Sequence, residues 1–232
     1  MKIYGQFCPL AQAAQILCER WTLIIVRELV AGSTRFGELQ KGVPRMSPTL
    51  LSTRLKQMLA AGIISKKDDQ NASIYELTKA GRELRPIIEL MGAWGHRWAR
   101  SSLDKEDLDA GLLMWDMRRS INTVAFPKRR TVVEFQYHDA PKGSRNWWII
   151  AEGDEVDLCL QDPGYEVDLV VQCSLRTMTE IWICDRRLNS AMKAGDVKIL
   201  GDSKLAANLQ QWLSTSALSR LGSSRELPEL NW

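Results

Sequence analysis

"RMSPTLLSTRLKQMLAAGIISKKDDQNASIYELT", residues 45–78, reads as a cap, a helix, a turn and two short strands. Ser47 is a capping residue type, and Pro48 suits the first helical turn because its missing N–H would go unused there. No further breaker comes before Gly62, so the spacing predicts a helix of about four turns. Advancing about 100° per residue puts Leu51, Leu55, Met58 and Leu59 on one side and Thr49, Ser52, Thr53 and Lys56 on the other. The outward flank is small, polar and cationic, and carries no carboxylate. After Gly62 come two short apolar runs around the polar tip "DDQNAS", a hairpin beside the helix with Lys66 and Lys67 on its first arm.

Upstream, "CPLAQAAQILCERWTLIIVRELVAGS" (8–33) predicts two short helices, the first with Pro9 in its opening turn. Trp21, Ile24, Ile25 and Leu29 form an apolar stripe on the second, and Gly32 fits the position just past its end. "TRFGELQKGV" gives a third, brief helix. From Thr78 a long helix is expected with Leu84, Ile87, Ile88, Met91, Trp94 and Trp98 at spacings of three and four, bent at Pro86. Two tryptophans on one stripe near a helix end exceed what a small domain can cover alone, which points to a subunit interface.

Helices followed by a hairpin make a winged helix. Short hydroxyls on the 47–60 helix allow close approach to base edges in a major groove, and the missing carboxylates avoid repulsion from phosphates. The candidate DNA-binding residues are Arg35, Arg45, Ser47, Thr49, Ser52, Thr53, Arg54, Lys56, Lys66 and Lys67. A merely solvated helix is the alternative.

At 232 residues the chain can form two domains of roughly 100 to 130 residues, each with its own core. Residues 1–100 hold 15 Lys+Arg against 8 Asp+Glu (+7) and the remainder 16 against 20 (−4), which together give the chain's +3. The basic half suits a polyanion, since phosphate contacts release condensed counterions. Cys8, Cys18, Cys159, Cys173 and Cys184 show neither metal spacing nor a dense framework and most sit in apolar stretches, so buried, reduced thiols in a cytoplasmic protein are expected. No leader and no apolar run near about 18 residues is present, so neither secretion nor membrane spanning is expected.

The motifs "CPLAQAAQILCERWTLIIVREL", "RFGEL", "SPTLLSTRLKQMLAAGII" and "YELTKAG", spread from Cys8 to about Trp98, resemble the HxlR-type winged helix-turn-helix transcriptional regulators. The resemblance implies a homodimer formed through the first and last helices of the domain, with the 47–60 helix as recognition helix on double-stranded DNA. It also makes Cys8 a redox candidate, because some members sense oxidants or electrophiles through a cysteine before this proline; a structural cysteine is the alternative. The short acidic wing tip departs from the family, whose members commonly carry proline and a basic residue there.

Residues 101–107, "SSLDKED", read as a linker between a domain at 1–100 and one at 108–216. The second domain predicts a helix at "LDAGLLMWDMRRSI", then strands at 131–138, 146–152, 155–161 and 166–173 in an antiparallel meander. Helices "SLRTMTEIWICD" and "RRLNSAMKAG", a strand "DVKILGD" and a last helix "SKLAANLQQWL" follow. Alternation groups Val133, Phe135 and Tyr137 on one face, likewise Val156, Leu158 and Leu160, with Trp182 and Trp212 lying over the apolar side. The fold class expected is α+β: a winged helix, then an antiparallel sheet covered by helices. "VDLCLQDPGYEVDLVVQCSLRTMTEIWI" and "MKAGDVKILGDSKLAANLQQWL" resemble the sterol carrier protein type 2-like fold, which implies an apolar cavity for a lipid-like ligand. Its lining would be Trp115, Phe135, Trp148, Leu158, Trp182 and Trp212; a dry packed core would use the same residues.

No phosphate-cradling loop, metal spacing or nucleophile elbow is present, and His96 and His138 have no evident catalytic partners, so neither enzyme activity nor a cofactor is expected. The leading reading is a dimeric DNA-binding regulator with an apolar small-molecule effector. The other readings are a carrier or scavenger of apolar molecules whose basic half serves in dimerisation, and a regulator whose second domain is a brace.

Overall fold

The computed structural model describes residues 4–69, 72–99 and 103–224. The chain divides into two compact units, Met1–Met91 and Gly92–Trp232.

In the first unit, α1 (Pro9–Leu17), α2 (Thr22–Val30), α3 (Phe36–Gly42) and α4 (Pro48–Ala60) precede a hairpin of β1 (Ile64–Asp69) and β2 (Ala72–Leu77), antiparallel with Lys66 opposite Tyr75. An isolated bridge from Arg35 to Ile74 ties the start of α3 to the hairpin. Of the apolar stripes anticipated from spacing, Ile25, Leu29, Leu51, Leu55 and Met58 are buried, with Val26 and Leu39 beside them, whereas Ile24 is exposed and Trp21 and Leu59 are half-buried. Gly32 takes φ +96 just past α2, a conformation that favours glycine. The two residues at the centre of the wing tip, 70 and 71, and the linker positions 101 and 102 lie outside the described residues.

The long helix expected from Thr78 is broken into α5 (Lys79–Arg82) and α6 (Arg85–Trp94), followed by a π-helical turn, Gly95–Ala99. Pro86 starts a helix rather than bending one: in α6's first turn its missing N–H costs no hydrogen bond, whereas mid-helix it would. The unit boundary falls inside α6, not at the polar stretch that follows.

In the second unit, α7 (Ala110–Arg119) leads into β3 (Thr131–Tyr137), β4 (Asn146–Glu152), β5 (Glu155–Cys159) and β6 (Leu169–Cys173). Then come α8 (Leu175–Trp182), α9 (Leu188–Lys193), β7 (Val197–Gly201), α10 (Ser203–Ala207), α11 (Leu209–Trp212) and α12 (Ala217–Ser224). The sheet order is β5-β4-β3-β6-β7, with β3 and β6 parallel, so the expected all-antiparallel meander is corrected to a mixed sheet. Leu169, Val171 and Cys173 on β6 are all buried, and β6 has neighbours on both sides; β5, half exposed, is left at the edge. The expected last helix is divided at Asn208 into α10 and α11. Gly92 and Gly222 permit α12 to lie against the end of α6 and the π-turn: a Cβ on Gly92 would stand 3.0 Å from Leu218, and one on Gly222 2.7 Å from His96.

Candidate nucleic-acid interface

The Ser47 hydroxyl accepts from the Leu50 N–H at 3.2 Å and, with Pro48 behind it, sets where α4 begins. Leu51, Leu55 and Met58 anchor the helix from below. On the opposite flank Thr49, Thr53 and Lys56 are exposed and Ser52 is half-buried. The Thr53 hydroxyl donates to the Thr49 carbonyl at 3.0 Å, which fixes its rotamer and leaves its oxygen lone pairs outward. Arg45, just before the cap, is also exposed, and among the described residues no carboxylate pairs with Arg45 or Lys56. Arg35 is exposed at the start of α3, whose first turn is closed by Glu38 Oε2 accepting from the Thr34 and Arg35 N–H groups at 2.8 and 3.0 Å. Burial alone would raise the Glu38 pKa, but these backbone donors, with Arg35 nearby, hold it below its ordinary 4.5.

Arg54 departs from the expectation. It is only 9% exposed, with Nη1 donating to Gln57 Oε1 at 2.7 Å and to Glu19 Oε2 at 3.2 Å. Its position three residues after Leu51 and four before Met58 puts it on the inner edge of the helix, where the turn between α1 and α2 supplies the carboxylate. Lys66 and Lys67 are exposed but each has a carboxylate of the wing itself: Lys66 with Asp68 at 3.0 Å and Lys67 with Glu76 at 2.6 Å. The hydrogen bond to Asp68 raises the Lys66 pKa, and Lys66 with Ser73 lowers that of Asp68. The wing thus offers phosphates less free charge than its two lysines suggest. Cys8 is exposed at the N-cap of α1.

The six residues expected to line an apolar cavity are dispersed. Phe135, Trp182 and Trp212 belong to the packed core of the second unit, and Leu158 packs against it, half-buried. Trp212 Nε1 donates to the Leu205 carbonyl at 3.0 Å, and its ring meets Phe126 at 5.2 Å. Trp115 and Trp148 are buried outside that cluster, and Leu160 is exposed. A cavity of about 560 Å³ opens instead at the end of the sheet, polar and lined by residues including Gln136, His138, Arg145, Gln172 and Lys198. None of the six lines it.

Sequence reasoning missed Glu19 and Gln57 as the partners of Arg54, and Glu28, fully buried and ion-paired to Arg27 at 2.6 Å. The only signal for Glu28 was its place next to Leu29 and three residues from Ile25 on the apolar stripe. Among the described residues no group of three His, Cys, Asp or Glu is placed to hold a metal ion, and no helix is long and apolar enough to cross a membrane.

A capped helix presenting hydroxyls and one cation, backed by three helices and flanked by a two-stranded hairpin, defines a winged helix-turn-helix regulator of transcription. The HxlR-like helix-turn-helix family model matches residues 16–103, and the chain belongs to that family. It is 33% identical over 98 residues to the uncharacterised HTH-type transcriptional regulator YvaP of Bacillus subtilis, covering 40% of this chain and 91% of YvaP. To the uncharacterised regulator sll1512 of Synechocystis it is 32% identical over 114 residues, 47% of this chain and 80% of the relative. The reduced form of YodB from B. subtilis is a solved structure 28% identical to it, with a TM-score of 0.37, covering 41% of this chain and 97% of YodB. Each of these matches covers less than half of the present chain.

Proposed function

We propose that the chain is a homodimeric regulator whose α4 enters the major groove of double-stranded DNA. Thr49, Ser52 and Thr53 face base edges, and Lys56, Arg45, Arg35 and the Ser47 region sit against phosphates; Lys66 and Lys67 contribute only when they exchange Asp68 and Glu76 for phosphate. The observation that carries this reading is the exposed Thr49/Thr53/Lys56 flank, free of carboxylates, in the basic half of the chain. The second copy joins through apolar side chains left in solvent on the first segment and on α6: Phe7, Leu10 and Met91 are 100, 75 and 52% exposed. Two recognition helices about 34 Å apart would then read half-sites one turn apart.

The test is a pull-down of genomic fragments with purified protein, followed by salt titration on a recovered fragment. Lys56→Ala should weaken binding across sequences and lower the salt slope by about 1; unchanged affinity and slope would refute the assigned face.

An apolar effector in the second unit rests on the sterol carrier resemblance. With Phe135, Trp182 and Trp212 packed in the core, such a ligand would have to part the helices from the sheet. Mass spectrometry of gently purified protein, finding a retained lipid-like molecule, would support this effector; protein free of ligand that also takes up none from organic extract would remove it.

A further inference from the structure

The geometry points to a small-molecule site in the first unit, beneath α4, for an uncharged ligand with a carbonyl oxygen on a small apolar body. A cavity of about 490 Å³ lies among α1, α2 and α4. That is within the range of ligand pockets, roughly 300–1,000 Å³. Its apolar wall includes Ile16, Met58 and Ala61. Three of its lining residues, Gln15, Thr22 and Arg54, each hold a buried polar atom without a hydrogen-bond partner among the described residues: Gln15 Nε2, Thr22 Oγ1 and Arg54 Nε. Thr22 is 1% and Arg54 9% exposed.

Buried polar atoms are normally paired, and three unpaired ones around one void form a cluster that a ligand would satisfy. Gln15 Nε2 and Arg54 Nε can only donate and the Thr22 hydroxyl can also donate, so the missing group is an acceptor. Arg54 already carries Glu19 as counter-ion at 3.2 Å, which leaves the wall close to neutral and favours a carbonyl over a carboxylate. The space is many times the roughly 30 Å³ of one water molecule, enough for a small ligand. The orphan atoms are sealed within the wall, so pairing them requires the Gln15 amide to swing and Arg54 to turn about its Nη1 anchors. Arg54, Gln57 and Met58 belong to α4, so occupancy would shift that helix against α1. This last step rests on the reading of α4 as the DNA-contacting helix, whereas binding itself does not.

The experiment is a ¹⁵N–¹H NMR titration of the full chain with acetophenone, and with benzoate as the charged comparison. Saturable shifts are expected at Thr22, Arg54 and Gln57, with benzoate binding more weakly. Thr22→Val should weaken acetophenone about fivefold, and Ala61→Leu, which fills the void without touching the polar trio, should abolish the shifts. No saturable shift at these residues, or equal affinity in both variants, would overturn the site. Because no DNA is present, failure here is separate from failure of the DNA-binding reading.

Discussion

Arg54 and Lys56 are two residues apart in the sequence and have different work. Lys56 points outward with no carboxylate paired to it among the described residues; Arg54 turns inward and joins α4 to the α1–α2 turn through Glu19. The outward set was legible because Thr49, Ser52, Thr53 and Lys56 differ in chemistry from the buried stripe and recur at helical spacing. Arg54 was not, because its partner lies 35 residues away and helical spacing says nothing about what a neighbouring helix brings. The cysteines separate in the same manner. The buried thiol expected from the apolar surroundings is found at Cys173 alone: Cys8 and Cys18 are exposed and Cys159 and Cys184 half-buried, whereas burial, with Asp139 nearby, pushes the Cys173 thiol up to about 12, so it stays protonated far above neutrality. Reaction with a disulfide reagent at pH 8 should modify Cys18 quickly and Cys173 only on unfolding; mass mapping that found Cys173 labelled early would contradict this burial.

Among the elements, α3 owes its start to one carboxylate. Glu38 is held below its ordinary 4.5 in the folded chain, so its contribution is present above that pH and is lost as pH falls through the lower folded value. Melting of the first unit should therefore fall on acidification below about pH 4.5, and Glu38→Gln should reduce that dependence; identical pH profiles would show that the cap carries no charge-linked stability. In the sheet, alternation identified the inward residues of β3, and Val133, Phe135 and Tyr137 are all fully buried. It could not say that β6 pairs with β3, because an alternating strand has the same face pattern beside any partner. Pro86 shows a similar limit: a proline constrains the chain, but whether it bends a helix or begins one depends on the residues packed around it. Phe135→Ala should destabilise the second unit by about 3–5 kcal/mol, read from denaturant unfolding; a loss under about 1 kcal/mol would mean that the core collapses around the gap.

For the whole molecule, a basic winged helix is joined to an acidic α+β unit, and the first carries the family's signature. The second was legible as strands and helices, since its turns are marked by residues such as Gly153 and Gly164, both at positive φ. Its cavity was not legible, because the aromatic residues that suggested an apolar pocket are also those that fill a core. The proposed dimer would bring two copies of α4 to one duplex. Light scattering should give twice the chain's mass, and Met91→Lys, placing a charge on an exposed apolar position of α6, should shift the protein towards monomer; a monomeric parent protein would refute the proposed dimer. The most direct test is the salt dependence of binding to a recovered genomic fragment, measured for the parent chain and for Lys56→Ala. A steep loss of affinity with salt, with the slope reduced by about 1 in the variant, is predicted. Binding that ignores salt, or is the same in both proteins, would contradict the claim that this face of α4 lies against a duplex.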